Sequence, residues 1–437
     1  MIKTVKLGLL GYGTVGKGVY NIISKNNKFY QSIGLNIIVS KICVKDINKK
    51  RSFSNSTIDP IVTNLIDDVV LDPNIDIIVE VMGGVDIPYQ TFKNSIKKNK
   101  HFVTANKALL ASKLVEIEES LQNNKIKIGY EAAVGGGIPI IETLQKHYLS
   151  DNVKRISGII NGTTNFILTK MAKENKDYND VLKEAQELGF AEADPSSDVL
   201  GYDARSKISI LSYVGMGSII SPDDIYTRGI EKISKKDFEY ARHLNSTIKH
   251  MVFSEYVNDE VLSCYVMPTI VSNDSPISDV AFENNVVDII SEYNNHCTLI
   301  GKGAGAYPTA TSVVKDIINI SRELLDIEIN SKTLNSTTIQ NSISKKNNNN
   351  RFERLFTSKF MIRLDVIDEL GIIEVVGREC KNLDISIDAV LQLPQKNKNP
   401  LTFALTTDIT SISNIEMLIN KLEKEKFYID SNILKII

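Results

Sequence analysis

Apolar residues fall along this chain in two rhythms. In TVKLGLLGYGTVGKGVYNII, Val5, Leu7, Leu9 and Leu10 form a short continuous run, as strands of a parallel sheet do when both faces are buried. Val15, Val19, Ile22 and Ile23 then recur at helical spacing, so the segment predicts a strand, a glycine turn and a helix. LNIIVSKICVKD and IDIIVEVMGG predict further buried strands, the second ending in Gly83-Gly84. HFVTANKALL and IKIGYEAAVGGGIPII each predict a strand running into a helix. Strands alternating with helices predict an α/β fold with a doubly wound parallel sheet over residues 1–134.

The pattern changes after Gly135. VKRISGIINGTTNFILTKMA predicts a strand, a polar turn from Asn161 to Thr164 and an apolar helix, and Asp203 to Leu211 continues as a helix with Ile208 and Leu211 on its apolar side. An α+β domain over 135–300 follows. GKGAGAYPTATSVVKDIINI predicts a second glycine turn and a long helix, Ala310 to Leu325, whose apolar face suits return packing on the first domain, completing it with 301–330. NSISKKNNNNRF is asparagine-rich and almost without apolar residues, the composition of a linker, here 331–350. Residues 351–437 read strand, helix, strand, strand, helix, strand, a small βαββαβ module.

The chain has 437 residues, 42% hydrophobic and 24% charged, with a formal net charge of −2. That balance suits a soluble protein of several domains and offers no basic field for nucleic acid. No run approaches the roughly 20 apolar residues of a membrane span. The start, MIKTVKLGLLGYG, enters a strand without the charged, apolar and small-residue regions of a signal peptide. Cys43, Cys264, Cys297 and Cys380 are far apart with no C-x-x-C pair, which points to reduced thiols and a cytoplasmic location. The five histidines lack zinc spacing, and His296 beside Cys297 reads as two ordinary residues near a strand, not as a dyad.

Gly11, Gly13 and Gly16 stand at G-x-G-x-x-G spacing between a predicted strand and a predicted helix. In that context glycine allows a tight turn and a close approach to a pyrophosphate, which the helix N-terminus stabilises. This makes the N-terminal sheet a Rossmann-type dinucleotide site. After the second strand, Asp46 could bond a ribose 2′-hydroxyl, whereas Lys45, Lys49, Lys50 and Arg51 could hold a 2′-phosphate; Lys45 inclines the reading to NADP, with NAD open. Lys107 lies just past a strand's carboxyl end, where open α/β sheets bind ligands, though a lysine starting a helix is also commonplace. GFAEADPSSDVLGYDARSK holds Glu192, Asp194, Asp198 and Asp203 and ends in Lys207. Asp203 and Lys207 share a helix face at i and i+4. An exposed salt bridge accounts for such a pair as readily as a site does. The sharply turning loop before it favours a cleft, and a lysine removed from water can exchange protons near neutrality. Lys207 is thus a candidate general acid/base.

Together GLLGYGTVGKGV, TANKALLA, YEAAVGGGIPII, GIINGTTNFIL, ELGFAEADPSSDVLGYDARSKISIL and GAGAYPTATSVV resemble homoserine dehydrogenase, in the long bacterial form with a C-terminal ACT domain. They cover most of residues 1–325 in the family's order. The resemblance implies reduction of L-aspartate 4-semialdehyde to L-homoserine in threonine, methionine and isoleucine biosynthesis. It makes Lys207 the catalytic proton donor, with Asp203 and Lys107 beside it. Glu192 would hold the substrate ammonium, and Gly162 and Thr163 would border the substrate with Asp203. Gly13, Thr14 and Val15 would contact the cofactor, with Gly83 and Gly305 lining its site. The EAAVGGGI loop is similar to the family's sodium loop, which implies Glu131, Val134, Gly136 and Ile138 as ligands, mainly through carbonyls. A homodimer or homotetramer, and a threonine effector at the ACT module, are implied as well.

The tail departs from the family in one place. DELG sets Leu370 where the family's first ACT turn has proline, and losing a rigid residue there weakens or retunes an effector site. Two other readings stand beside the first: an amino-acid-sensing regulator with a nucleotide-binding fold and no catalysis, and a dehydrogenase for another small amino-acid aldehyde. The segments from Asn161 and Gly189 argue against the latter.

Overall fold

The N-terminal apolar runs become a six-stranded parallel sheet. Its strands are β1 (Lys3–Leu10), β2 (Leu35–Cys43), β3 (Ile61–Thr63), β4 (Ile77–Glu80), β5 (His101–Thr104) and β6 (Ile128–Gly129), in the order β3-β2-β1-β4-β5-β6. Helices α1 (Thr14–Ser32), α2 (Asp67–Val70), α3 (Asp86–Lys97) and α4 (Lys107–Gln122) connect them, and α5 (Ile140–Lys146) follows β6. The order turns back at β1 and β4, the switch point where such sheets take ligands. Val5, Leu7 and Leu10 are wholly buried, as their unbroken apolar run predicts. This computed structural model describes residues 2–53, 59–122, 124–258, 260–330, 351–395 and 400–437, with backbone alone at 327–330. The predicted linker at 331–350 lies outside them.

Contacts divide the chain into two units. The first runs through Asn152, holding the parallel sheet, and adds residues 213–221 and, among the described residues, 301–330. Residues 135–152, expected with the substrate domain, therefore belong to the sheet unit. The reason is a set of ties that no local pattern announces. The Glu131 carboxylate accepts the Ile141 and Glu142 amides at 2.8 and 2.9 Å, which caps α5. Lys315 then bridges Glu131 at 2.9 Å and Glu142 at 2.6 Å. Lys315 sits on the long return helix Ala306–Asn330 (α11 by its place in the chain), whose Ala310, Val313, Val314 and Ile317 complete the core under β1, β2 and α1.

The second unit takes residues 153–212, 222–300 and the C-terminal segment. Its helices are α6 (Gly162–Glu174), α7 (Tyr178–Glu187), α8 (Ser196–Val199), α9 (Tyr202–Met216, continuing past the unit) and α10 (Lys235–His243). Its strands are β7 (Val153–Ile159), β8 (Tyr226–Thr227), β9 (Ser246–Asn258), β10 (Val261–Ser272), β11 (Asn284–Ser291) and β12 (Asn295–Lys302), followed by the short β13 (Arg351–Glu353). The expected βαββαβ order then appears as β14 (Thr357–Val366), α12 (Ile372–Asn382), β15 (Ile387–Leu391), β16 (Leu401–Thr407), α13 (Ile412–Leu422) and β18 (Tyr428–Ile436), with β17 (Thr410–Ser411) just before α13.

One sheet runs through both parts in the order β12-β11-β7-β9-β10-β18-β14-β16-β15. The joint is parallel pairing of Thr269 with Lys435 and of Ile270 with Ile436. Packing is shared too: Met251, Phe253 and Tyr265 lie in one apolar cluster with Phe360, Ile362 and Ile433. In the turn before α12, Gly371 takes φ 90 and Leu370 is fully exposed. Among the described residues no helix is long and apolar enough to cross a membrane.

Candidate active site

In the second unit the site is built on a helix cap. β7 delivers Ile160 and Asn161 to the start of α6, where Asn161 stands in extended conformation as the N-cap. Its Oδ1 accepts the Thr164 amide at 2.8 Å, which satisfies one of the helix's orphan donors. That bond orients the amide group, and Nδ2 donates to Asp198 Oδ1 at 2.7 Å and to Asp203 Oδ2 at 2.9 Å. Asp203 lies in the first turn of α9, its side chain 2% exposed, and Lys207 one turn later is 12% exposed. Lys207 Nζ approaches Asp203 Oδ2 to 2.6 Å and donates to the Ile160 carbonyl at 2.8 Å.

This is not the solvated i,i+4 bridge that the spacing alone allows. A surface pair contributes about 0.3–0.5 kcal/mol and leaves both groups in water. Here carboxylate and ammonium are withdrawn from water and their hydrogen bonds are directed. An ammonium has three N–H groups. Among the described residues Asp203 and Ile160 take two, and no hydrogen bond there fills the third. Gly201, just before α9, takes φ +85, and a Cβ there would stand 2.9 Å from Thr227 Cγ2. The tight entry to the helix thus requires glycine.

The remaining predicted residues of this unit surround the same helix ends. Gly162 opens α6 where a Cβ would come within 3.1 Å of the Glu283 carbonyl. Thr163 Oγ1 donates to the Phe190 carbonyl at 2.8 Å, and Phe190 stacks on Phe166 at 4.4 Å. Gln186 Nε2 donates to the Glu192 and Ala193 carbonyls at 3.1 and 3.3 Å. The loop carrying Glu192 is therefore held by its backbone, and the Glu192 side chain is exposed. Asp194 serves the turn itself, accepting the Ser196 amide at 3.1 Å and hydroxyl at 2.5 Å, bonds that lower its pKa. Sequence reasoning had singled out neither Asn161 nor Asp198 as a site residue. The density of acids marked the segment, but nothing in their spacing says which acids converge on one amide.

In the first unit the β1–α1 turn brings Gly11, Gly13, Thr14, Val15 and Gly16 together. Gly11 takes φ +104, with Val81 O 2.7 Å from where a Cβ would be, and a Cβ on Gly16 would meet Gly11 O at 2.2 Å. Nothing stands within 4 Å of a Cβ built on Gly13, and α1 has neither a side-chain cap nor an acidic residue in its first turn. An open turn with uncapped amides fits the pyrophosphate of a dinucleotide. Lys45 is exposed just past β2. Asp46 Oδ1 accepts the Asn48 amide at 2.9 Å, and Arg51 folds back onto the Asp46 and Lys49 carbonyls at 2.6 Å each. Gly83 and Gly84 follow β4 with φ 83 and 79, Lys107 is the first residue of α4, and Gly305, at φ 124, precedes α11.

In the glycine loop after Glu131, Gly135 and Gly136 take φ 74 and 55. Ser312 Oγ donates to the Gly136 carbonyl at 2.6 Å and the Ile140 amide to the Ile138 carbonyl at 2.8 Å. Each of these two carbonyls keeps a second lone pair, on which the sodium set implied by the resemblance, the carbonyls of Glu131, Val134, Gly136 and Ile138, would draw. The Glu131 carboxylate does not belong to that set, since α5 and Lys315 occupy it.

The comparisons agree along the chain. The family described as homoserine dehydrogenase matches residues 139–318, and its NAD binding domain matches residues 11–131. A homoserine dehydrogenase of Bacillus subtilis (strain 168) is 35% identical over 97% of this chain and 96% of its own. The crystal structure of a homoserine dehydrogenase from Thiobacillus denitrificans superposes with a TM-score of 0.89 at 31% identity, over 100% of this chain and 99% of that one. A hyperthermophilic archaeal homoserine dehydrogenase, solved in complex with NADPH, gives a TM-score of 0.62 at 27% identity over 74% of this chain and 98% of its own. A regulator without chemistry finds no support in these matches, which span both the nucleotide-binding and the substrate segments.

Proposed function

The chain belongs to the homoserine dehydrogenase family, and we propose that it works with NADPH in preference to NADH, reducing L-aspartate 4-semialdehyde to L-homoserine through Lys207. The observation that carries this reading is the withdrawn ammonium of Lys207, held by Asp203 at 2.6 Å and by the Ile160 carbonyl at 2.8 Å. The nicotinamide of a dinucleotide held at the Gly11–Gly16 turn would supply the hydride that the aldehyde carbon needs. The carbonyl oxygen then needs a proton, and Lys207 donates it from its remaining N–H. Asp203 keeps the ammonium oriented and balances its charge. The neutral amine regains its proton from solvent, so one aldehyde, one NADPH and one proton give one alcohol and one NADP⁺. In the reverse direction the amine accepts the alcohol proton.

Glu192 is assigned to the substrate ammonium, Gly162 and Thr163 to the border of the substrate, and Lys107 to a place near nicotinamide and substrate. Gly11, Gly13, Thr14, Val15 and Gly16 hold the pyrophosphate, Gly83 and Gly305 line the cofactor site, and exposed Lys45 favours a 2′-phosphate. Sodium on the carbonyls of Glu131, Val134, Gly136 and Ile138 would steady the loop that leads into α5. The C-terminal segment is assigned as an ACT module with threonine as effector, in a cytoplasmic homodimer or homotetramer serving threonine, methionine and isoleucine biosynthesis. Purified full-length protein mixed with NADPH and aspartate 4-semialdehyde should consume nicotinamide absorbance, faster than with NADH. No consumption with either cofactor would overturn the reading, and a rate indifferent to threonine would remove the effector.

A further inference from the structure

Glu80 ends β4 and is wholly buried. Its Oε1 accepts the amides of Met82 at 2.7 Å and Gly83 at 3.2 Å, and its Oε2 accepts the Thr104 hydroxyl at 2.6 Å. Thr104 ends the neighbouring strand β5, and its Oγ1 accepts the Asn106 amide at 3.0 Å. Asn106 completes the circuit: Nδ2 donates to the Gly84 carbonyl at 2.7 Å, and Oδ1 accepts the Leu109 amide at 3.1 Å in the first turn of α4. A carboxylate is costly to bury and persists in a core only where donors surround it. Burial raises the Glu80 pKa, and the bonds from Thr104, Met82, Gly83 and Asn106 act against that rise.

These bonds do something the sheet cannot. Backbone pairing of β4 with β5 runs from Ile77 and His101 to Glu80 and Thr104, and both crossover loops leave the sheet there. One loop carries Gly83 and Gly84, whose positive φ values hold a turn with open space where their Cβ atoms would be. The other carries Lys107 at the first position of α4. Past the strand ends, the Glu80–Thr104–Asn106–Gly84 circuit ties one loop to the other.

We propose that Glu80 is a positioning residue, setting the Gly83–Gly84 turn and the Lys107 helix start against each other before any ligand arrives. The inference rests on the roles given above to Gly83 and Lys107 and adds the group that presents them together. Glu80 itself, wholly buried behind both loops, acts through them.

The test uses the full-length protein. Glu80→Gln keeps shape and one acceptor oxygen but turns an amide toward donors. Thr104→Val removes both bonds of the Thr104 hydroxyl, to Glu80 and from the Asn106 amide, at constant shape. In Glu80→Gln kcat should fall at least tenfold, and the NADPH Kd should rise by a smaller factor, because the Gly83 turn shifts while the Gly11–Gly16 turn is untouched; Thr104→Val should move the same way by less. Acylation of the Lys107 amine, followed by mass spectrometry, should change in rate at least threefold in Glu80→Gln with the melting curve retained. Labelling needs no turnover, so it remains decisive for the circuit even if the wild type fails to turn over, a result that would count against the reaction assignment instead. Labelling and kcat within twofold of wild type in the folded variants would overturn the positioning role. Should Glu80→Gln fail to fold, Thr104→Val decides, with a threefold change in either readout expected and changes below twofold in both overturning the proposal.

Discussion

Asn161 Nδ2 donates to Asp203 across 2.9 Å while its side-chain Oδ1 caps α6. The group that orients the acid is thus itself oriented by a helix terminus, and the acid in turn sets Lys207. Replacing Asn161 with Ala should cost about 1 kcal/mol as a lost N-cap. It should also leave Asp203 and Asp198 without a shared donor, since Nδ2 serves both. The expected result is a kcat roughly ten- to a hundredfold lower, on the order of 1.4–2.7 kcal/mol of barrier. Asn161→Ser, which keeps a capping oxygen and loses Nδ2, should restore the melting temperature without restoring kcat. Recovery of both together would show that the cap alone matters.

Lys207→Ala should lower turnover by about 10²–10⁴-fold, the range of a positioned acid/base, while NADPH still binds. Lys207→Arg tests protons against charge. Arginine keeps the positive charge opposite Asp203 but does not release a proton in a protein, so kcat should stay low. A steady-state assay together with fluorescence titration of NADPH separates the two effects, and an active Arg variant would reduce Lys207 to an electrostatic role.

How much of this was readable beforehand depended on distance along the chain. The glycine spacing after β1 and the i,i+4 placement of Asp203 and Lys207 are local, and local geometry follows directly from residue type and period. The cap by Asn161 is nearly local, yet its bonds to Asp198 and Asp203 span loops and follow from no motif. β9 and β10 escaped the reading because VLSCYVMPTIVS is buried almost throughout, so it shows no alternation. The placement of residues 135–152 turned on Lys315 meeting Glu131 and Glu142, contacts made more than 170 positions apart in sequence. The joint between β10 and β18 is likewise a pairing of distant residues, so the C-terminal segment read as a separate module although its sheet continues another.

That continuity predicts that the C-terminal segment is not removable. Arg363 on β14 is 3% exposed and donates to Asp237 Oδ1 of α10 at 3.0 Å, and Asp237 is wholly buried. The Arg363 guanidinium also pairs with Asp365, while Asp237 accepts the Ser234 amide at 2.8 Å in the cap of α10. Removing one partner of a buried pair leaves an uncompensated charge, which costs about 3–5 kcal/mol. Arg363→Ala should therefore lower the urea midpoint of the whole second unit. Truncation after residue 350 should give insoluble protein, because it uncovers β10 and the cluster around Phe253 and Tyr265. A soluble, active truncation would show that the two parts of the sheet are separable.

Acid should destabilise the second unit through His250. The ring is 2% exposed; Nε2 lies 2.9 Å from the Arg228 carbonyl, and Nδ1 has no hydrogen-bond partner among the described residues. The neutral ring with its proton on Nε2 satisfies that geometry, whereas protonation would place a second N–H where nothing accepts it. Burial accordingly lowers the pKa from 6.5 to about 4, opposed by the Arg228 carbonyl. Between those values the unfolded chain binds the proton and the folded chain does not, so stability is full above about pH 6.5 and falls as pH drops toward 4. The loss is on the order of 3 kcal/mol. Asp316 in the first unit, raised to about 6 by burial, acts with the opposite sign: its carboxyl is protonated in the folded state over part of the same range, so its contribution declines as pH rises from about 4 to 6. A single stability curve would blend the two, and the difference between wild type and His250→Gln isolates the histidine. Glutamine can still donate to the Arg228 carbonyl and does not titrate. The gap between the two proteins should move in favour of the variant as pH falls from 6.5 to 4, and parallel urea curves across that interval would mean that His250 is not the acid-sensitive group.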